Sequence, residues 1–415
     1  MEMRTVAIIG AGISGLTVAN LLKNEFKIKV YEKETKPGGL IRCERINGNL
    51  FHICGGHVFN TKRQNVEKWF WEKFKREEEF QKSDRNSVVC MGNGLIVPYP
   101  IENHIYLLNT NFQKKVIEDF INIAKTSKSK VTNFEEFLVQ RFGKSLYELY
   151  FKPYNEKVWR RDLKMVPLSW LEGKLPMPTV DEIIFNNINK VKEKEFVHST
   201  FWYERMNGSQ YIADRLAEDI EIEYNHEIKN IEYLNKKWYV DSNEHDIVVF
   251  CGNIKDLPHL LKEDELLDSI NDIDRLEYHG TTSALCHIKK NPYSWIYLPS
   301  NEYQAHRIIC TGNFAETNNA EDCFTATIEF TDYISEEDIK ENLKKMPFSP
   351  QYIAHKYNKY TYPIQFADTR NIIKDIKVKL AKKGFYMSGR FADWEYYNMD
   401  VAIDAAMTVC QQIDK

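Results

Sequence analysis

No run of 18 apolar residues occurs in this 415-residue chain, so no helix is expected to span a bilayer. The opening MEMRTVAIIGAG is too short an apolar stretch for a secretory signal and runs straight into a glycine turn. Charge of one sign is also lacking: 56 basic against 60 acidic side chains leave a net charge of −4, which gives nucleic acid no domain-scale basic surface. The eight cysteines form no CxxC pair and read as reduced thiols of a cytoplasmic protein. Internal repeats, low-complexity segments and Gly/Ser linkers are missing as well, so the parts are expected to pack together. What is plentiful is aromatic rings, 13% of residues with 23 tyrosines, which suit a cleft lined by flat groups that also hydrogen-bond. The length calls for two or three sub-structures, interleaved in sequence.

Thr5 to Ile9 is a β-rich apolar run that stops at Gly10. A helical pattern starts near Ser14 (Leu16, Ala19, Leu22), and a second β run covers Ile28 to Tyr31. The turn between strand and helix reads Gly10-Ala11-Gly12-Ile13-Ser14-Gly15, and Glu32 lies 20 residues after Gly12. That is the spacing of a dinucleotide site: glycines let the backbone approach a pyrophosphate, the helix N-terminus faces its charge, and the acid meets ribose hydroxyls. Lys33, Pro37 and then Gly38-Gly39-Leu40 follow. A second glycine pair past the acidic strand resembles the GG motif of two-dinucleotide-binding-domain flavoproteins and turns the expectation from NAD to FAD.

Phe51-His52-Ile53-Cys54-Gly55-Gly56-His57-Val58-Phe59 contains a possible metal cluster, but structural zinc needs four ligands and no second Cys/His pair is evident, so no metal is expected. A glycine loop that lays His57 beside a flavin ring is the better reading. Further on, residues 64–82 read as an amphipathic helix and Val88 to Val97 as a hairpin turned at Met91-Gly92-Asn93-Gly94. Helical spacing dominates 101–195. Strand signals return at Phe201 to Tyr203, Ile228 to Tyr233, Trp238 to Asp241, Ile247 to Cys251 and across 278–330, and a last helix begins near Asp400.

Three stretches carry a family resemblance. They are the GGHVF loop, the segment Phe151-Lys152-Pro153-Tyr154-Asn155-Glu156-Lys157-Val158-Trp159 with Trp170-Leu171 after it, and Ser388-Gly389-Arg390-Phe391-Ala392-Asp393-Trp394-Glu395-Tyr396-Tyr397-Asn398-Met399-Asp400. On these the chain resembles the UDP-galactopyranose mutases, within the wider amine-oxidase and protoporphyrinogen-oxidase-like flavoproteins, and looks closer to the eukaryotic type. The resemblance implies an α/β fold: a Rossmann-like FAD-binding domain from 1–85, 198–265 and 366–415, a helical domain at 100–197, and an antiparallel sheet domain from 86–99 and 266–365. It implies an isomerase that interconverts pyranose and furanose forms of a nucleotide sugar for capsule or lipopolysaccharide synthesis. Reduced FAD attacks the anomeric carbon through N5, and NAD(P)H is the implied reductant. A homo-oligomer is compatible with the resemblance. The competing reading is an FAD-dependent oxidase or desaturase of the same fold.

Site residues follow from the same match. FAD is expected at Gly10, Gly12, Ile13, Ser14, Gly15, Glu32, Lys33, Gly38, Gly39, Leu40, Gly56, His57, Val58, Gly389, Arg390, Tyr397, Asn398 and Met399. Substrate is expected at Phe151, Trp159, Lys174, His198, Trp295, Tyr297, Arg307, Phe314, Tyr362 and Tyr396, with His57, Arg307 and Lys174 closest to the chemistry. Four positions depart from the family pattern. Lys174 replaces an arginine, a point charge in place of a bidentate fork. Phe314 replaces a tyrosine, His198 an asparagine, and a histidine stands near Tyr278-His279 where bacterial relatives have an arginine.

Overall fold

The computed structural model describes residues 3–92, 94–126, 130–168, 178–191, 200–261 and 269–413. Lys174, His198, Trp170 and Leu171 lie outside them, as does Asn93 of the hairpin turn.

A five-stranded parallel sheet forms in the order Phe385–Met387, Ile247–Phe250, Thr5–Ile9, Lys27–Tyr31, Ile222–Glu223. Its central strands are almost wholly buried, which is why TVAII and IVVF read as unbroken apolar runs: helices and further strands cover both faces. On one face the helices Ile13–Leu22 and Met399–Ile413 share a core that includes Leu16, Val18, Ile403 and Ala406. On the other face, helix Thr369–Ala381 and the small sheet Ile231–Leu234, Lys237–Val240, Asn243–His245 bury Trp238, Ile376 and Phe385.

The segment 64–82 is not one helix. The first helix ends at Lys73, Phe74 is extended, one short turn covers Arg76–Glu79, and Phe80–Asp84 becomes a strand paired antiparallel with Thr200–Glu204. Both Phe74 and Phe80 are buried, and a pairing partner 120 residues away in the chain overrides the local helical period.

A second sheet of seven strands runs Gln351–Pro363, Tyr278–His287, Thr325–Thr331, Arg307–Ile309, Trp295–Tyr297, Ser87–Cys90, Ile96–Pro98. The hairpin expected at 88–97 is present. The sheet is not purely antiparallel, however: Trp295–Tyr297 pairs parallel to Ser87–Cys90. These strands come from distant stretches with no tight turn between them, so nothing forces opposite directions. The helices Thr110–Lys125, Phe134–Leu146, Lys152–Trp159 and Val180–Asn189 form an insertion. The first is capped by Asn109 and the last by a Thr179–Glu182 capping box. Phe142, Leu146 and Tyr150 of this insertion share one core with Val89 and Ile309 of the sheet and with Phe314 just after it, which packs the insertion onto the sheet.

Among the described residues, no helix is long and apolar enough to cross a membrane and no cluster of His, Cys, Asp and Glu could hold a metal. None of the eight cysteines forms a disulfide.

Candidate active site

The glycine turn is closed on one side and open on the other. A Cβ on Gly15 would collide with the carbonyl oxygen of Gly10, whereas a Cβ on Gly12 would meet nothing within 4 Å. The first glycine packs helix to strand; the second leaves space for a ligand. The Ile13–Leu22 helix has no side-chain cap at its N-terminus, so its free N–H groups face that space. Gly38 donates to Ala11 O at 2.9 Å and brings the GG pair against the first loop. Glu32 is buried; its Oε2 accepts from Ala11 N at 2.7 Å and Oε1 from Glu34 N at 3.0 Å, which leaves further lone pairs for hydroxyl donors. The Gly389 turn lies over Ser14. Lys33 and Asn398 are exposed, while Ile13, Leu40, Gly56 and Val58 are half-buried. Asn398 O starts the final helix, accepting from Ala402 N. Arg390 has a role beyond the expected cofactor contact: it donates to Tyr397 O and Thr361 O and lies 4.6 Å over the Tyr396 ring.

From this cradle a row of polar rings runs into the cleft. Tyr396 stacks on Tyr362 (5.0 Å) and Tyr362 on His279 (4.7 Å). Tyr154 stands edge-on to Tyr297 at 5.4 Å, and Tyr99 lies 4.9 Å from Tyr297. Arg85 donates to Tyr297 OH at 2.8 Å and covers the Trp295 ring. Arg307 and Tyr297 are cross-strand neighbours.

Arg307 is held by a buried carboxylate that sequence reading missed. Glu329, 2% exposed, sits directly across from Arg307 on the next strand and takes its Nε; His306 Nε2 lies 3.5 Å from the same oxygen. Burial alone would raise the Glu329 pKa, but the Arg307 and His306 charges outweigh it and hold the group at about 2. Burial pulls His57 down to about 4, helped by the nearby Arg390 charge, so its imidazole is neutral near pH 7. Its Nε2 is buried with no partner among the described residues. The partnerless His57 nitrogen and the open space at Gly12 both fit a bound dinucleotide.

The other expected substrate residues lie deeper. Phe314 is wholly buried under the Gly56 loop against Phe201, Tyr203 and Trp295. Phe151 stacks on Phe142 in the helical core. Trp159 is 2% exposed and meets His279 edge-on. These rings back the cleft, while Tyr154, Tyr297, Tyr362 and Tyr396 carry its hydroxyls. Tyr154 stood inside a quoted motif, one helical turn before Lys157; Glu329 gave no local signal.

Glu102 is buried, close enough to Tyr99 and Tyr150 for its charge to act on both. Burial raises its pKa to about 7, opposed only by its own backbone N–H. A carboxyl whose folded pKa exceeds the unfolded 4.5 costs nothing below pH 4.5 and destabilises increasingly up to pH 7. Glu102→Gln should therefore stabilise the protein at pH 8, by roughly 3 kcal/mol at most, and hardly at all at pH 4. Melting curves at both pH values check this; equal shifts would place the carboxyl in water.

The fold is α/β with a glycine turn of the Rossmann kind, and the site sets a row of tyrosines around the Arg307–Glu329 pair. Residues 8–74 match the model of the NAD(P)-binding Rossmann-like domain. Along its whole length the chain resembles UDP-galactopyranose mutases. It is 23% identical to the UDP-galactopyranose mutase of Mycoplasma genitalium, over 98% of this chain and 94% of that one. It is 29% identical to the dTDP-fucopyranose mutase of Escherichia coli, over 42% of this chain and 46% of the other. A crystal structure of reduced UDP-galactopyranose mutase superposes with a TM-score of 0.88 at 21% identity, covering 100% of this chain and 94% of that chain. Putrescine oxidase shares the fold more distantly, with a TM-score of 0.65 at 14% identity and 99% of each chain covered.

Proposed function

We propose that the protein is an FAD-dependent nucleotide-sugar mutase that interconverts pyranose and furanose forms of a sugar carried on a pyrimidine nucleoside diphosphate. The observation that carries this reading is the Arg307–Glu329 pair, a fixed cation set among tyrosine hydroxyls next to the dinucleotide cradle. An oxidase acting on a small amine or hydrocarbon has no use for such a group; a diphosphate does. The names of the full-length relatives support the same reading.

The glycine turn, Glu32 and the Gly389–Met399 segment would hold FAD, and reduced flavin supplies a nucleophile for the anomeric carbon. The chain does the rest. Arg307 and the hydroxyls of Tyr297, Tyr362 and Tyr396 keep the departing diphosphate within reach for its return. Tyr154 walls the cleft on the helical side. His57, neutral at pH 7, sets no charge beside the flavin and can donate or accept one hydrogen bond there. No Ser-His-Asp set is needed. NAD(P)H is the reductant we infer, and the cytoplasm the setting, with capsule or lipopolysaccharide precursors as the product class.

The test is a panel of nucleotide sugars incubated with purified protein, with and without dithionite, and read by chromatography and NMR. Conversion only under reduction is expected. Peroxide formation without any conversion would transfer the protein to the oxidase branch. In the same assay Arg307→Ala should weaken nucleotide-sugar binding roughly 30-fold or more, since truncating a buried charge pair typically costs 2–5 kcal/mol, and leave flavin content intact. Parallel loss of both ligands would make Arg307 a structural residue.

A further inference from the structure

Lys157 is a half-buried cation with no carboxylate partner among the described residues. Its ammonium instead donates to three backbone carbonyls: Leu298 O at 2.9 Å, Ser300 O, and Ala305 O at 3.4 Å. All three belong to one turn. The turn joins Trp295–Tyr297 to Arg307–Ile309, and Leu298 N closes it on His306 O at 2.9 Å. Leu298 follows Tyr297 directly, and Ala305 precedes Arg307 by two residues.

The backbone around Lys157 is fastened to the same sheet. Thr331 Oγ1 donates to Lys157 O at 2.7 Å, and Arg160 Nη2 donates to Thr331 O at 3.1 Å. One turn earlier on the helix Lys152–Trp159 stands Tyr154, edge-on to Tyr297 and 6.5 Å from His306. A single side chain thus joins the helical wall of the cleft to the hairpin whose two legs present Tyr297 and Arg307.

We propose that Lys157 is a positioning residue: its ammonium fixes the distance between Tyr154 and the Tyr297–Arg307 hairpin, and thereby sets the affinity for the nucleotide diphosphate. The proposal rests on the mutase reading for the identity of that ligand. A hydrocarbon of equal length in its place would take the ammonium donor from all three carbonyls and leave Ser300 O with only the 3.4 Å bond from Tyr303 N, and the turn would move to find water. The flavin cradle is built from other elements and would not feel the change.

The experiment is titration of the flavin-loaded protein with UDP by calorimetry, alongside flavin absorbance, for the parent protein, Lys157→Met and Lys157→Arg. Hydrogen bonds from a charged donor are worth about 1.5–3 kcal/mol, so Lys157→Met should raise the UDP dissociation constant at least about tenfold. It should also raise KM for the nucleotide sugar more than it lowers kcat, and leave flavin content unchanged. Lys157→Arg, which keeps the cation and several donors, should recover most of the affinity. Unchanged UDP affinity in Lys157→Met overturns the proposal, as does equal loss of UDP and flavin with no recovery in Lys157→Arg. If Lys157→Met does not fold, Thr331→Val removes the hydroxyl's bond to Lys157 O and its 3.4 Å contact with His306 Nδ1, and should raise the UDP constant by a smaller factor at full flavin content; no change there is equally fatal. A parent protein that takes FAD but not UDP would instead overturn the reading of the site itself, and this proposal with it.

Discussion

Glu329→Gln is expected to cut nucleotide-sugar turnover by roughly two orders of magnitude while FAD stays bound. Glutamine keeps the volume and one acceptor oxygen, so the 2%-exposed position stays filled. What goes is the charge that holds Arg307. Breaking one side of a buried ion pair costs about 3–5 kcal/mol, because the remaining cation is left in a site built for a pair. Arg307 would then turn toward any other acceptor or drag water into the cleft, and the diphosphate would lose its fixed partner. The pH dependence gives an independent check. With the Glu329 pKa lowered from 4.5 to about 2 by folding, the stability it contributes is complete above pH 4.5 and is lost as pH falls through 2. The difference in melting temperature between the parent protein and Glu329→Gln should therefore be widest near neutrality and close toward pH 2. Turnover within threefold of the parent protein would mean that Arg307 needs no counter-ion.

The other large effect belongs to Gly15. A methyl group there has no room: it would sit inside the Gly10 carbonyl oxygen, with the Ile8 side chain 3.2 Å away. Helix and strand must part, and overpacking of this kind costs about 1–3 kcal/mol or more. Gly15→Ala should yield little soluble protein and no flavin absorbance band. Gly12→Ala is the control that separates fold from ligand. Its methyl group enters open space, so the melting temperature without cofactor should hold while flavin affinity drops sharply, because that space is where we place the pyrophosphate. A Gly12→Ala protein that keeps full flavin content would move the dinucleotide away from this turn.

The dinucleotide turn was legible from the chain because its determinants are local: a strand, three spaced glycines, a helix and an acid fall within 32 residues. The hairpin at 88–97 and the helix that starts at Met399 were legible for the same reason. Where contacts between distant segments decide, local pattern misleads. Phe80 sits on a helical period, yet a strand 120 residues later claims it. Glu329 lies in TATIEFT, where an isolated acid in an alternating strand reads as facing water; only the register with Arg307 puts it inside. Phe314 stands at a position where the resemblance expects a tyrosine, and the structure buries that ring fully against Phe201, Tyr203 and Trp295.

The parallel sheet takes its strands from residues 5–9, 27–31, 222–223, 247–250 and 385–387, and the helix behind the cradle begins only at Met399. During synthesis the first two strands, which pair with each other, leave the ribosome long before their outer neighbours at 222–223 and 247–250 exist. Until then the glycine turn is a hairpin-sized fragment without the Gly389 segment that closes over it. The dinucleotide cradle is therefore expected to be complete only once the Gly389 and Met399 segments have been made. Such long-range pairing makes for slow folding with exposed strand edges in the interval. A chain truncated shortly before residue 385 is expected to lose dinucleotide binding, even though every residue of the glycine signature would still be there.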